Sequence, residues 1–228
     1  DFQRNPTQAI ITLAAFSFSL VIAITVHEFS HALAATSLGD RTAQSQGRLS
    51  LNPAAHLDPV GTALIFFAGF GWGKPTPVNP FLFLRISPRQ GMALVSAAGP
   101  ISNIVVASLF AIPIRAGLVD TGGFGFELFG ESANDIAGVI LINMVFWNLL
   151  LATFNLLPIA PLDGFKAVLG ILPPKSARGF ARLEQYGPGI LMMTIMLEYI
   201  LPGPGILSSF INPILNLLTT VVLGGQVL

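Results

Sequence analysis

Residues 7–38 form one long apolar run with His27, Glu28 and His31 set inside it. The run opens after Asn5-Pro6, a helix-start signal, and stops at Gly39-Asp40. Its length predicts a helix that can cross a bilayer, since about 20 residues span roughly 30 Å of hydrocarbon. A charged side chain at the centre of such a helix costs about 2.5–3.5 kcal/mol on the insertion scale. Three ionisable groups so close together need a partner, and a divalent metal would supply one.

His27-Glu28-Phe29-Ser30-His31 reads H-E-x-x-H. On a helix, residues i and i+4 share a face one turn apart, so two imidazoles can reach a single ion. Glu28 is offset around the helix, where it can address a water on that ion. The alternative leaves both imidazoles on backbone carbonyls, with Glu28 protonated and buried. The chain has no cysteine, so any metal is held by nitrogen and oxygen. A catalytic zinc takes three protein ligands and keeps one position open. Acids that could complete the set are Asp163, Asp58, Asp40 and Glu184. Asp163 is favoured, because Pro161-Leu162-Asp163-Gly164 breaks an apolar run and lets the carboxylate point back. A plain helix-capping aspartate before 164–172 competes with that reading.

Hydrophobic residues make up 53% of the chain and charged residues 10%, against about 25% charged in ordinary soluble domains. With a mean hydropathy of +0.74, this much apolar surface points to a membrane protein. A formal charge of +0 gives no electrostatic case for a nucleic-acid partner. Further spans are expected at 90–115 and at 135–157, the latter with Asn143, Asn148 and Asn155 embedded. Two weaker ones are expected at 187–201, containing Glu198, and at 205–223, containing Pro213. The stretch 60–73 is too short and glycine-rich for a secure span and reads as re-entrant or interfacial. Three prolines make 71–80 extended, and 165–185 is basic and interfacial. The expected fold is an all-α polytopic membrane protein, with about five to six membrane helices and a re-entrant or extended segment near 60–80. It forms a single domain over 1–228, with a catalytic core at 7–172 and additional helices at 187–224.

Loop charge sets the orientation. Arg41, Arg48, Lys74, Arg85 and Arg89 fall in one loop, and Lys166, Lys175, Arg178 and Arg182 in another. The intervening glycine-rich loop 116–134 has Asp120, Glu127 and Glu131 and no Lys or Arg. The two basic loops are therefore expected in the cytoplasm, which places His27, His31 and Asp163 toward that side.

The H-E-x-x-H helix, followed by Asn155-Leu156-Leu157-Pro158-Ile159-Ala160-Pro161-Leu162-Asp163-Gly164, resembles the site-2 protease family of intramembrane zinc metalloproteases. The second stretch matches every fixed position of N-x-x-P-x-x-x-L-D-G. Gly71-Trp72-Gly73-Lys74-Pro75 through Pro80, Gly99-Pro100-Ile101-Ser102-Asn103 and LNPAAHLDPVGT at 51–62 extend the likeness over about 27–170, and it is to the compact prokaryotic type without PDZ or CBS domain. The resemblance implies one Zn2+ held by His27, His31 and Asp163, with Glu28 as general base and acid. It implies Asn155 against the substrate backbone, and membrane-spanning protein segments as substrates, cut within the bilayer of a prokaryotic cell membrane. Asn148, seven residues before Asn155 and so on its face, is a further candidate for substrate contact. The extended 71–80 segment is expected to pair with an unwound substrate as an added strand through Val78 and Asn79. Asn103 and Asn143 are expected to hydrogen-bond between helices, and His56 and Asp58 to serve local turns near Pro53 and Pro59. A membrane metal-binding or transport protein would want acids and histidines strung along a path. A catalytically inactive homologue is the remaining alternative, against which the intact Glu28 argues.

Overall fold

The structure, a computed structural model, describes residues 6–68, 71–119, 136–200 and 205–224. Among them it is helical, and its β pairing is an isolated antiparallel bridge between Leu57 and Gly73. The helices are α1 (Pro6–Ser37), α2 (Thr42–Ser45), α3 (Pro59–Ala68), α4 (Pro88–Arg115), α5 (Ile136–Asn155), α6 (Asp163–Ile171), α7 (Pro174–Ala181), α8 (Gly187–Ile200) and α9 (Ile206–Leu223). Four of them, α1, α4, α5 and α9, are long and apolar enough to cross a membrane. The sequence predicts about five to six. The 187–201 run does form a helix, but its 14 residues reach only about 21 Å at 1.5 Å per residue. The 60–80 region splits into the ten-residue α3 and an extended stretch, as its glycines and prolines require. The acids of the 116–134 loop, Asn5 and residues 201–204 lie outside the described residues.

Small side chains decide how the bundle closes. α1 buries Ala15, Ser19, Ala23, His27, His31 and Ala35, one residue in every four. α4 does the same with Gly91, Val95, Gly99, Asn103, Ala107 and Ala111. Such i±4 rows form the ridges by which helices interdigitate. In lipid, association relies on close van der Waals approach and polar bonds rather than on burial from water, so short side chains are favoured there. α1, α4 and α5 pack mutually, α6 lies against α4, and α9 covers α5 and the far half of α4. α8 hangs chiefly on α9 and on the turn at Glu184–Tyr186. Leu149, Val145, Leu157 and Leu162 join Ile211 and Leu215 of α9 in the main apolar cluster.

Caps follow the sequence. Ser87 accepts from the Gln90 N–H with Pro88 as the first helical residue, which starts α4. α1 ends on Gly39 at φ 109°, with the Gly39 N–H on Thr36 and the Asp40 N–H on Ala35. That is the Schellman arrangement, which needs a residue tolerant of positive φ. Asp58 starts α3 by accepting from the Gly61 N–H. Glu198, to which the sequence assigned no role, reaches from α8 to accept from the Leu207 and Ser208 N–H groups at the start of α9.

Candidate metal centre

His27 and His31 lie one turn apart on the buried ridge of α1, their ring centroids 4.6 Å apart and their planes perpendicular. The Nδ1 of His27 is 2.7 Å from Asn103 Oδ1, and the Nδ1 of His31 is 2.7 Å from the Val95 carbonyl oxygen. A carbonyl only accepts, so His31 donates from Nδ1. Asn103 spends its amide nitrogen on the Ala23 carbonyl and on Asn148 Oδ1, so its oxygen also accepts, and His27 donates from Nδ1 as well. Both neutral rings then turn a bare Nε2 lone pair inward.

Asp163 meets those lone pairs. The short loop after α5 carries it, and it opens α6. Its Oδ2 lies 3.0 Å from His27 Nε2 and 3.1 Å from His31 Nε2. Two lone pairs facing a carboxylate oxygen need a proton or a cation between them. Ligands at about 2.0–2.1 Å around a tetrahedral zinc sit roughly 3.3–3.4 Å apart, close to what is seen. The donor set of two imidazoles and one carboxylate suits zinc and leaves a fourth position open. Two glycines make the approach possible. A Cβ at Gly99 would come within 2.6 Å of both imidazole Cε1 atoms, and one at Gly164 within 2.2 Å of the Leu156 carbonyl oxygen.

Glu28 sits beside the pair. His27, Glu28 and His31 bring ligand atoms within 4.8 Å of one another. Its Oε2 accepts from the Thr76 backbone N–H at 2.9 Å and lies 2.7 Å from the Thr76 hydroxyl. The other candidate acids are placed elsewhere. Asp58 caps α3, and Glu184 is exposed in a turn. Asp40 is fully buried, holding the N–H groups of Thr42 and Asn79. His56 contacts the Ser50 carbonyl through Nε2, and its own carbonyl accepts from the Lys74 N–H.

The residues expected to contact substrate are placed as follows. Asn148 is fully buried; its oxygen accepts from the Asn103 amide and its nitrogen donates to the Met144 carbonyl, so it supports the partner of His27. Asn155 is half-buried at the end of α5 and donates to the Leu151 carbonyl. Asn79 gives its N–H to Asp40 and accepts from the Phe81 N–H, so its backbone donor is already taken. Val78 packs toward Ala35, Phe83 and Val95, against α1 and α4. Asn143 accepts from the Trp147 indole one turn on, and Trp147 stacks edgewise on Phe16 of α1 at 4.7 Å. Sequence reasoning left Thr76 and Val95 unmentioned. A backbone carbonyl acceptor and a backbone N–H carry no residue-type signal, although the hydroxyl of Thr76 between two prolines does.

No family model and no solved structure matches the chain. Curated relatives do. YwhC of Bacillus subtilis, named a zinc metalloprotease, is 41% identical over 170 residues, 74% of each chain. Rip2 of Mycolicibacterium smegmatis, also named a zinc metalloprotease, is 30% identical over 191 residues, 82% of this chain and 66% of that one. Rip2 of Mycobacterium tuberculosis is 27% identical over 180 residues, 77% and 64% of the two chains. With zinc as its cofactor and an endopeptidase activity, the chain belongs to the zinc metalloproteases of site-2 protease type.

Proposed function

We propose that this protein is a multi-pass membrane protease that cuts membrane-spanning protein segments within the bilayer. His27, His31 and Asp163 hold the zinc, and Glu28 moves the proton. The observation that carries the reading is the convergence of both Nε2 atoms and Asp163 Oδ2 inside apolar helices. Zinc bound there supplies Lewis acidity, which acidifies water and polarises the scissile carbonyl. Glu28 takes a proton from the attacking water and returns it to the leaving amine. Asn103 and the Val95 carbonyl keep each imidazole's Nε2 aimed inward, and Asn148 steadies Asn103.

A membrane helix has no free backbone donors or acceptors, so it must unwind before it is cut. The extended 71–79 stretch is its seat. Lys74, Thr76 and Asn79 have given their N–H groups to His56, Glu28 and Asp40, and Pro75 and Pro77 have none. The segment therefore offers a substrate strand chiefly carbonyl acceptors, while Val78 and Asn79 fasten it to the bundle. Asn155 borders the loop that delivers Asp163 and meets the substrate from the other side. The whole chain acts as one intramembrane protease domain, with its site toward the cytoplasm of a bacterial cell.

The test is metal analysis of purified protein beside cleavage of a synthetic transmembrane peptide. Wild type is expected to carry zinc and cut, Asp163→Ala to lose both, and Glu28→Gln to keep zinc while cleavage falls by about 10²–10⁴. Zinc-free wild type that still cuts, or Asp163→Ala with full zinc and activity, would overturn the assignment.

A further inference from the structure

Thr76 meets Glu28 with two donors, its N–H and its hydroxyl. The Thr76 N–H lies 2.9 Å from Glu28 Oε2, and the hydroxyl lies 2.7 Å from the same oxygen and 3.0 Å from the Glu28 carbonyl oxygen. A glutamate has three rotatable torsions, and a proton shuttle works only when its oxygen stays within hydrogen-bond reach of the reacting atom. Thr76 itself has little freedom. It is β-branched and flanked by Pro75 and Pro77, whose rings fix φ. The segment is tied on either side, by the Lys74 N–H to the His56 carbonyl at 2.7 Å and by the Asn79 N–H to Asp40 Oδ2 at 2.7 Å. Both Thr76 donors end on one carboxylate oxygen.

We propose that Thr76 is a positioning residue for Glu28: it clamps Oε2 and leaves Oε1 to the attacking water. The proposal rests on the protease reading above. It makes the substrate seat and the proton shuttle one mechanical unit, because a strand laid along 71–79 bears on the residue that aims the base.

The test uses the full-length, zinc-loaded protein and a synthetic transmembrane peptide. Thr76→Val removes the hydroxyl and keeps both the branch and the N–H. It is expected to lower kcat about tenfold, a part of the 10²–10⁴ that general acid–base catalysis supplies, with KM and zinc content unchanged. Thr76→Ser restores the hydroxyl and is expected to recover most of kcat. Should Thr76→Val fail to assemble, Thr76→Ala puts the same question. Wild-type kcat in the hydroxyl-free variants overturns the proposal. So does a rise in KM alone, which would mean that Thr76 only seats substrate, and so does loss of zinc. Failure of the protease reading looks different, since wild type itself would then carry no zinc and cut nothing.

Discussion

Asn103 shows how much a single buried amide can settle. Its oxygen fixes the His27 tautomer, and its nitrogen joins α1, through the Ala23 carbonyl, to Asn148 on α5. Metal-ligating imidazoles depend on such partners, and their removal commonly costs 10–100-fold in metal affinity. Asn103→Ala is therefore expected to weaken zinc binding by roughly that factor, as read by competition with a chelator of known affinity. Unchanged affinity would mean that His27 is oriented by ring packing alone. The sequence marks Asn103 as a buried amide but does not say which imidazole it serves. That pairing depends on α4 lying against α1 with Gly99 opposite the histidines, which is a matter of helix register. His31 is less legible still, because its partner is the backbone of Val95 and any residue there has a carbonyl.

The elements were legible wherever composition dictates them. The 7–38 and 90–115 runs form α1 and α4 within a few residues, and the prolines of 71–80 keep it extended. The shared i±4 ridges are also written in the sequence, as small residues recurring through both helices. Which ridge meets which cannot be read along one helix. The most demanding element is the loop from Asn155 to Asp163, because it must fold back into the bundle before α6 starts. Gly164 permits this. A Cβ there would fall 2.2 Å from the Leu156 carbonyl oxygen and 2.5 Å from that of Leu157, and backbone atoms cannot swing aside as side chains do. Gly164→Ala should push the start of α6 away and carry Asp163 off the imidazoles. The expected outcome is loss of most bound zinc and a destabilisation of about 1–3 kcal/mol. Gly189, whose Cβ would meet nothing within 4 Å, is the control, and Gly189→Ala should keep zinc and stability. Equal zinc loss in both variants, or none in Gly164→Ala, would contradict this account of the loop.

At the scale of the whole molecule, three chain segments must reach one depth. His27 lies ten residues before Ser37, the end of α1, or about 15 Å at 1.5 Å per residue. Gly99 lies eleven residues after Pro88, the start of α4, or about 17 Å. α1 and α4 run antiparallel if both cross, so these distances are measured from one face, and the contact between Gly99 and the imidazoles agrees with that. Asp163 arrives from the same face by way of the immersed loop. The site is thus about three helical turns below the surface that carries Arg41, Arg89 and Lys175, near enough for water to enter from that side. On the topology proposed above, loop charge is expected to put this surface in the cytoplasm. Because the chain has no cysteine, single-cysteine reporters can check it. Arg41→Cys and Lys175→Cys lie at exposed positions on that surface, and Leu118→Cys follows α4 at the opposite end, where Leu118 is 75% exposed. A membrane-impermeant maleimide added to intact cells is expected to label Leu118→Cys and spare the other two until the membrane is opened. The reverse pattern would put the site toward the outside. Labelling of all three in intact cells would contradict a bundle that crosses the bilayer at α4, and with it the intramembrane placement of the zinc site.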